Sequence, residues 1–193
     1  MKRCSQDARN PRAKKVTPDL NVRVQWGPRQ DPLSNCVERT LSQLNLLKEM
    51  RSSYNDWLEV MTDGPLTQDE EQPRNLNDPL VVESVLLHNR QKNDLEPPEI
   101  MHDLGYRGWF TNSRKDIDLQ IKCGAYGERT GNECAFSFAL KSPDALSRTE
   151  AINLLRQMLL IWDASFGVIY DGDFHGLGPT KTLVRYAQPQ KQY

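Results

Sequence analysis

The sequence predicts an α+β fold: a single domain with a mainly antiparallel sheet and about three helices packed on it. Several segments alternate apolar and polar residues, which is the period of a half-buried strand. Three of these segments follow one another with short connections, which is typical of antiparallel hairpins. Other segments repeat apolar residues every three or four positions, as amphipathic helices do. At 193 residues, the chain is long enough to bury one hydrophobic core.

The first half of the chain predicts one strand and two helices. Residues 20–26 alternate apolar and polar side chains and predict the first strand, which Gly27 and Pro28 end. Apolar residues spaced by three and four over 33–61 predict one long helix. A second helix is predicted to begin at Asp78 and Pro79, a capping residue followed by proline in the first turn, and the segment 94–98 breaks it.

The second half predicts five strands and one further helix. The helix begins at Ser147, which forms a capping-box pattern with Glu150. The predicted strands cover 106–112, 117–123, 134–140, 166–170 and 182–186. The predicted order of elements is therefore β-α-α-β-β-β-α-β-β, without an internal repeat.

The formal net charge of -1 combines two parts of opposite sign. Residues 1–15 hold six basic residues and one acidic residue, or +5, while the remainder holds 19 basic and 25 acidic residues, or -6. We expect residues 1–18 to form a disordered basic tail, 19–188 to form the α+β domain, and 189–193 to form a frayed C-terminus. An acidic domain favours a basic protein partner over direct binding of nucleic acid, whose phosphates need Lys and Arg.

The sequence contains no strong catalytic or metal-binding motif, so we expect a binding protein without catalytic residues, metal or cofactor. Asp171, Asp173 and His175 alternate along the chain and could share a face, so a metal-dependent hydrolase remains an alternative. A solvated loop explains the same residues. The four cysteines lack a C-x-x-C spacing and favour buried, reduced thiols.

The sequence also predicts a location in the cytoplasm. No stretch approaches the about 18 apolar residues of a membrane helix, and no apolar segment follows the basic start. We therefore expect neither a membrane span nor a secretion signal.

The second half of the chain contains a series of short motifs: Gly105-Tyr106, Trp109, Cys123-Gly124, Asn132, Trp162-Asp163 and Phe166-Gly167-Val168. With these motifs the chain resembles the immunity protein 52 family of bacterial polymorphic toxin systems. The resemblance covers about residues 20 to 171. A proline usually stands near position 164 in that family, where this chain has Ala164.

The resemblance implies a function. Proteins of this family are encoded beside a toxin, often one with a restriction-endonuclease-like nuclease domain that a type VI secretion system delivers. The immunity protein binds this cognate toxin in the cytoplasm of the producer and its kin, and inhibits it. Trp109, Cys123 and Trp162 match the family motifs as scaffold residues. A nuclease tends to be basic around its cleft, so an acidic inhibitor would have complementary charge.

The predicted toxin-binding surface is acidic and partly aromatic. Its candidate residues are Asp63, Asp69, Glu70 and Glu71 in a polar stretch, Asp171 and Asp173 in a late loop, and Trp109 as an aromatic anchor. A third hypothesis is a nucleic-acid-binding adaptor that acts through the basic tail.

Overall fold

The computed structural model describes residues 19–60, 71–73, 75–171 and 181–187, and the described strands form one eight-stranded antiparallel sheet. The strand order across the sheet is β3-β2-β4-β5-β6-β1-β7-β8. The strands are β1 (Asp19–Trp26), β2 (Trp57–Val60), β3 (Glu71–Pro73), β4 (Tyr106–Asn112), β5 (Ile117–Cys123), β6 (Asn132–Ala139), β7 (Phe166–Asp171) and β8 (Lys181–Ala187).

The three α-helices of the described chain each lie between two strands that run in the same direction. They are α1 (Leu33–Met50), α2 (Pro79–His88) and α3 (Arg148–Ile161). Helix α1 follows β1 and precedes β2, α2 lies between β3 and β4, and α3 lies between β6 and β7. Each pair of strands is separated by at least one antiparallel strand, so the chain must cross the sheet between them.

The hydrophobic core lies between these helices and one face of the sheet. In β5, buried and half-buried residues alternate without exception, as expected for a strand with one covered face. The buried side chains of Val22, Leu119 and Phe136 belong to the same core cluster as Leu47 of α1 and Leu155 of α3. We call this the helix face of the sheet and the opposite side the open face.

The α+β class is confirmed, but the prediction of one long helix over 33–61 is wrong. Helix α1 ends at Met50, and Arg51 has an extended backbone with φ -150°. A 3-10 turn (Ser52–Asn55) follows, and the hydroxyl of buried Tyr54 donates to the carbonyl of Asp144. Residues Trp57–Val60 then form β2, whose pairing with β4 outweighs the helical spacing of their apolar side chains.

The two helix starts predicted from capping residues are confirmed. The Asp78 carboxylate accepts a hydrogen bond from the Leu80 amide, with Pro79 in the first turn of α2. At the start of α3, Ser147 and Glu150 form a complete capping box. The predicted tail (1–18) and the predicted C-terminal end (189–193) lie outside the described residues.

Candidate protein-binding site

The motif residues of the second half meet at one end of the sheet. Tyr106 pairs with Cys123 across β4 and β5, and Asn132 pairs with Trp26 across β6 and β1. Helix α3 ends at the same place: Trp162, which follows its last residue, stacks on Trp26 with ring centroids 5.1 Å apart. We call this cluster the motif joint; it comprises Trp26, Arg29, Gly105, Tyr106, Cys123, Gly124, Asn132, Trp162 and Asp163.

Asn132 ties two loops to the motif joint. Its side-chain oxygen accepts a hydrogen bond of 2.8 Å from the Ala125 amide. Its side-chain nitrogen donates to the Gly27 carbonyl at 2.9 Å and to the Ala125 carbonyl at 3.0 Å. The side chain is buried, so these bonds replace its contacts with water.

Arg29 and Trp162 form the centre of the joint. Trp162 is 0% exposed, and its indole N–H donates to Gln43 at 3.2 Å. The Arg29 guanidinium donates to the Trp162 carbonyl at 3.0 Å and lies 5.6 Å from the Trp26 ring centroid. It also contacts Asp31 at 2.8 Å and Asp163 at 3.2 Å. One arginine therefore links the end of α3 to the loop after β1.

The turn after α3 is a Schellman motif. Asp163 has φ +46°, and its amide donates to the Leu160 carbonyl at 3.3 Å. The Ala164 amide donates to the Leu159 carbonyl at 3.0 Å. These are the two bonds that define the motif. A proline at position 164 would lack the N–H of the second bond, so this chain closes the helix with a bond that Ala164 permits.

Two glycines let the strands of the joint approach closely. Gly105 has φ +69°, and a Cβ there would lie 2.3 Å from the Cys123 carbonyl oxygen. Gly124 has φ +70°, and a Cβ there would lie 3.1 Å from the Tyr106 ring. Both positions have a positive φ and leave no room for a Cβ atom, which explains why glycine occupies them.

An exposed acidic loop, residues 93–100, lies between α2 and β4. It carries Asp94, Glu96 and Glu99, together with Leu95, which is 60% exposed. Asn93 organises the loop, since its side-chain oxygen accepts from the Glu99 amide at 2.8 Å and its own amide donates to the Glu99 carbonyl at 2.9 Å. The loop therefore presents three carboxylates and a leucine on an internally bonded backbone.

A depression of about 310 Å³ lies at the base of the acidic loop. Arg90 precedes the loop and His102 follows it, and their side chains meet at 2.6 Å. Arginine can only donate, so Nδ1 of His102 is the acceptor in this contact. The Arg90 guanidinium also lies 5.3 Å from the Tyr106 ring centroid. Tyr126, an exposed aromatic residue, completes the rim.

The sequence pattern at 94–98 predicted only the end of a helix. The available signal was three acidic residues and a leucine around Pro97 and Pro98, with no basic residue among 93–100. That composition is typical of an exposed charged loop.

The predicted toxin-binding residues do not form one surface in the described structure. Asp63, Asp69, Glu70, Asp173 and His175 lie outside the described residues. Of the others, Glu71 begins β3 at one edge of the sheet. Asp171 ends β7, paired with Leu20 on the helix face.

Trp109 is half-buried on the open face of β4, so it and Asp171 point to opposite sides of the sheet. Four strand spacings, about 19 Å, also separate their strands. By strand register Arg107, Lys122 and Asp118 lie beside Trp109 on the open face, and Glu133 lines the same depression. Its described surroundings therefore carry charges of both signs.

The described residues show no constellation for metal or thiol chemistry. Within them, no group of three or more His, Cys, Asp or Glu side chains could hold a metal ion. Cys36, Cys123 and Cys134 are buried free thiols, as predicted, while Cys4 lies outside the described residues. Burial raises the pKa of the Cys134 thiol well above its usual value, so it stays neutral at pH 7.

Comparisons with protein-family models, curated proteins and solved structures found no match to this chain. The resemblance to the immunity protein 52 family therefore rests on the motif residues themselves. No helix among the described residues is long and apolar enough to cross a membrane.

Proposed function

We propose that the protein is an immunity protein that binds and inhibits a cognate nuclease toxin of a type VI secretion system, in the cytoplasm of the producer. The motif joint is the observation that supports this proposal. The residues that carry the resemblance lie between Gly105 and Val168 in sequence, yet most of them meet at one end of the sheet. They form an interlocked structural unit, as residues that specify one fold should.

The acidic loop and the depression at its base form the proposed contact surface. Exposed carboxylates accelerate association with a basic partner, because complementary charge steers the encounter. Leu95 and Tyr126 supply apolar and aromatic area for a short-range contact beside these charges. Arginine and tyrosine, which line the depression, are enriched among residues that dominate binding energy.

The shape of the loop favours binding. Its backbone is held by the Asn93 hydrogen bonds and by the Arg90–His102 contact at its base. A loop that is ordered before binding loses less conformational entropy on association. The mechanism is stoichiometric: the inhibitor covers a basic surface that the nuclease needs, and no bond is made or broken.

The test uses the toxin domain encoded by the neighbouring gene. Asp94→Lys with Glu96→Lys should slow association with this domain about tenfold at low salt, since the steering charge is reversed. Stopped-flow association rates at several salt concentrations measure the effect. Glu38→Lys with Glu49→Lys is the matched control, because it makes the same charge change at exposed positions of α1.

A second pair tests the short-range contact. Leu95→Ala should speed dissociation, whereas Leu80→Ala, an equally apolar and exposed change on α2, should not. Glu70→Lys with Glu71→Lys tests the polar stretch predicted from the sequence in the same assay. Equal association rates for the Asp94/Glu96 and Glu38/Glu49 variants would show that the acidic loop is not part of the interface. Failure of the wild-type chain to bind the toxin domain would contradict the proposed function itself.

A further inference from the structure

A second depression, of about 340 Å³, lies along β4 and β5 and reaches Asn89, the residue that follows α2. We call it the sheet-face depression. Arg107 of β4 and Lys122 of β5 lie directly opposite each other there, and Trp109 pairs with Gln120 one step further along the same strands. The four side chains point to the same side, because cross-strand partners share a face.

Two hydrogen-bond donors in this depression have no acceptor among the described residues. They are the indole N–H of Trp109 and the Nε–H of Arg107, and both nitrogen atoms are buried from solvent. A buried donor without an acceptor costs about 1–3 kcal/mol. A ligand that brings acceptor oxygens would remove this cost.

The positive charge in the depression is only partly offset, by Glu133, which lines it as well. Within the described part of the chain, neither Arg107 nor Lys122 forms an ion pair. Glu133 lies opposite Lys122 on β6, but it is within 3.8 Å of Arg23 and accepts a hydrogen bond from Gln25 at 3.4 Å.

The pKa of Lys122 reflects the same arrangement. Burial lowers this pKa first, the charge of Arg107 lowers it further, and Glu133 opposes both. Like charges placed directly opposite each other across two strands are destabilising. An anion between them would reverse that effect.

We infer that the sheet-face depression binds a phosphate group, either free or as a phosphomonoester. Arg107 and Lys122 supply two positive charges, which match the charge of about -1.5 to -2 on a phosphomonoester at pH 7. The Trp109 and Gln120 side chains add neutral N–H donors for the remaining oxygens. A carboxylate carries one charge and two oxygens, so it would satisfy this set less well. The inference goes beyond the proposed function and does not depend on it.

The experiment follows the indole N–H resonance of Trp109 in the ¹⁵N-labelled full chain, assigned with Trp109→Phe. Inorganic phosphate should shift this resonance in a saturable manner, while chloride at matched ionic strength should not. Glycerol phosphate tests the phosphomonoester source: tighter binding than inorganic phosphate identifies an esterified ligand, and weaker binding identifies the free anion. Either result supports the site. A shift by acetate equal to that by phosphate would overturn the assignment to a dianion.

Matched variants separate the site from general charge effects. Arg107→Gln with Lys122→Gln should weaken phosphate binding at least tenfold, and each single change should weaken it in part. Arg156→Gln, at an exposed position of α3, should leave it unchanged. Circular dichroism checks that each variant is folded, and the single variants keep the test valid if the double variant is not. Absence of a saturable shift in the wild-type chain, or an equal shift in the double variant, would overturn the inference.

Discussion

The motif joint and the sheet-face depression use the same residue types in opposite ways. In the joint, Arg29 contacts two carboxylates and a carbonyl, and it lies over the ring of Trp26. In the depression, the Nε–H of Arg107 and the indole N–H of Trp109 lack partners within the part of the chain that the structure describes. The first region gains stability from its polar groups, whereas the second keeps polar groups available for a ligand. The indole N–H of Trp26, which is unpaired, is an exception within the joint.

The largest expected effect is in the joint. Trp162→Ala removes a fully buried ring that stacks on Trp26, and should lower the free energy of unfolding by about 3–5 kcal/mol. Leu160→Ala is the control two residues earlier; that side chain is 73% exposed, and its loss should cost less than about 0.5 kcal/mol. Urea denaturation measures both. Similar losses for the two variants would contradict the structural role of the joint.

Asn132→Ala should give the next largest loss, about 1–3 kcal/mol, because it leaves buried amide and carbonyl groups of the loops without partners. The control is Asn45→Ala at an exposed position of α1, which should be neutral or slightly stabilising, since alanine favours helix. Denaturant midpoints at constant m-value make the comparison. If the Asn132 variant were as stable as the control, the joint would not depend on these bonds.

The start of α3 lies at the far end of that helix from the joint and should contribute less. Ser147→Ala removes the capping bond to the Glu150 amide and should cost about 1 kcal/mol. Thermal and urea unfolding at pH 7 measure this. If Ser147→Ala lowered the free energy of unfolding as much as Trp162→Ala does, stability would not be concentrated at the joint.

Acid should weaken the same cap. Hydrogen bonds from Ser147 and Arg51 hold the pKa of Glu150 at about 2, below its ordinary value of 4.5. A lowered folded-state pKa stabilises the fold above the unfolded-state value, and this contribution fades as pH falls from about 4.5 through about 2. The wild-type chain should therefore lose its stability advantage over Glu150→Gln across that window, as unfolding curves at stepped pH will measure. An advantage independent of pH would contradict the assigned role of the carboxylate.

The smallest expected effect is in the sheet-face depression. Arg107→Gln removes one of two opposed cations and should change the free energy of unfolding by no more than about 0.5 kcal/mol, with stabilisation the favoured direction. Arg29→Gln, which loses the contacts of the joint, is the matched variant and should be clearly destabilised. Equal losses of unfolding free energy for Arg107→Gln and Arg29→Gln would show that the two regions do not differ in their contribution to stability.

Sequence periodicity predicted the fold well wherever a strand has one covered face. Strand β5 alternates without exception, and the polar caps of α2 and α3 are local patterns that can be recognised without a structure. β2 was missed because Tyr54, Trp57 and Leu58 have helical spacing, and only pairing with β4 makes the last two a strand. β3, with the sequence Glu-Gln-Pro, has no apolar residue to mark it.

The candidate sites were less predictable because they depend on long-range pairing. The scaffold roles expected for Cys123 and Trp162 agree with their complete burial in the joint. Trp109 is not part of this buried cluster. Its side chain points to the open face, whereas the next residue, Phe110, is buried on the helix face. The pairing of Arg107 with Lys122 follows from the register of β4 with β5, which no local pattern reveals.

The most direct test of the proposed function measures how the wild-type protein and Asp94→Lys/Glu96→Lys inhibit the toxin domain encoded by the neighbouring gene. We predict that the wild-type chain inhibits at a 1:1 ratio, and that the variant keeps its unfolding free energy but inhibits at least tenfold less well at low salt. Nuclease activity that is unchanged by an excess of folded wild-type protein would contradict it.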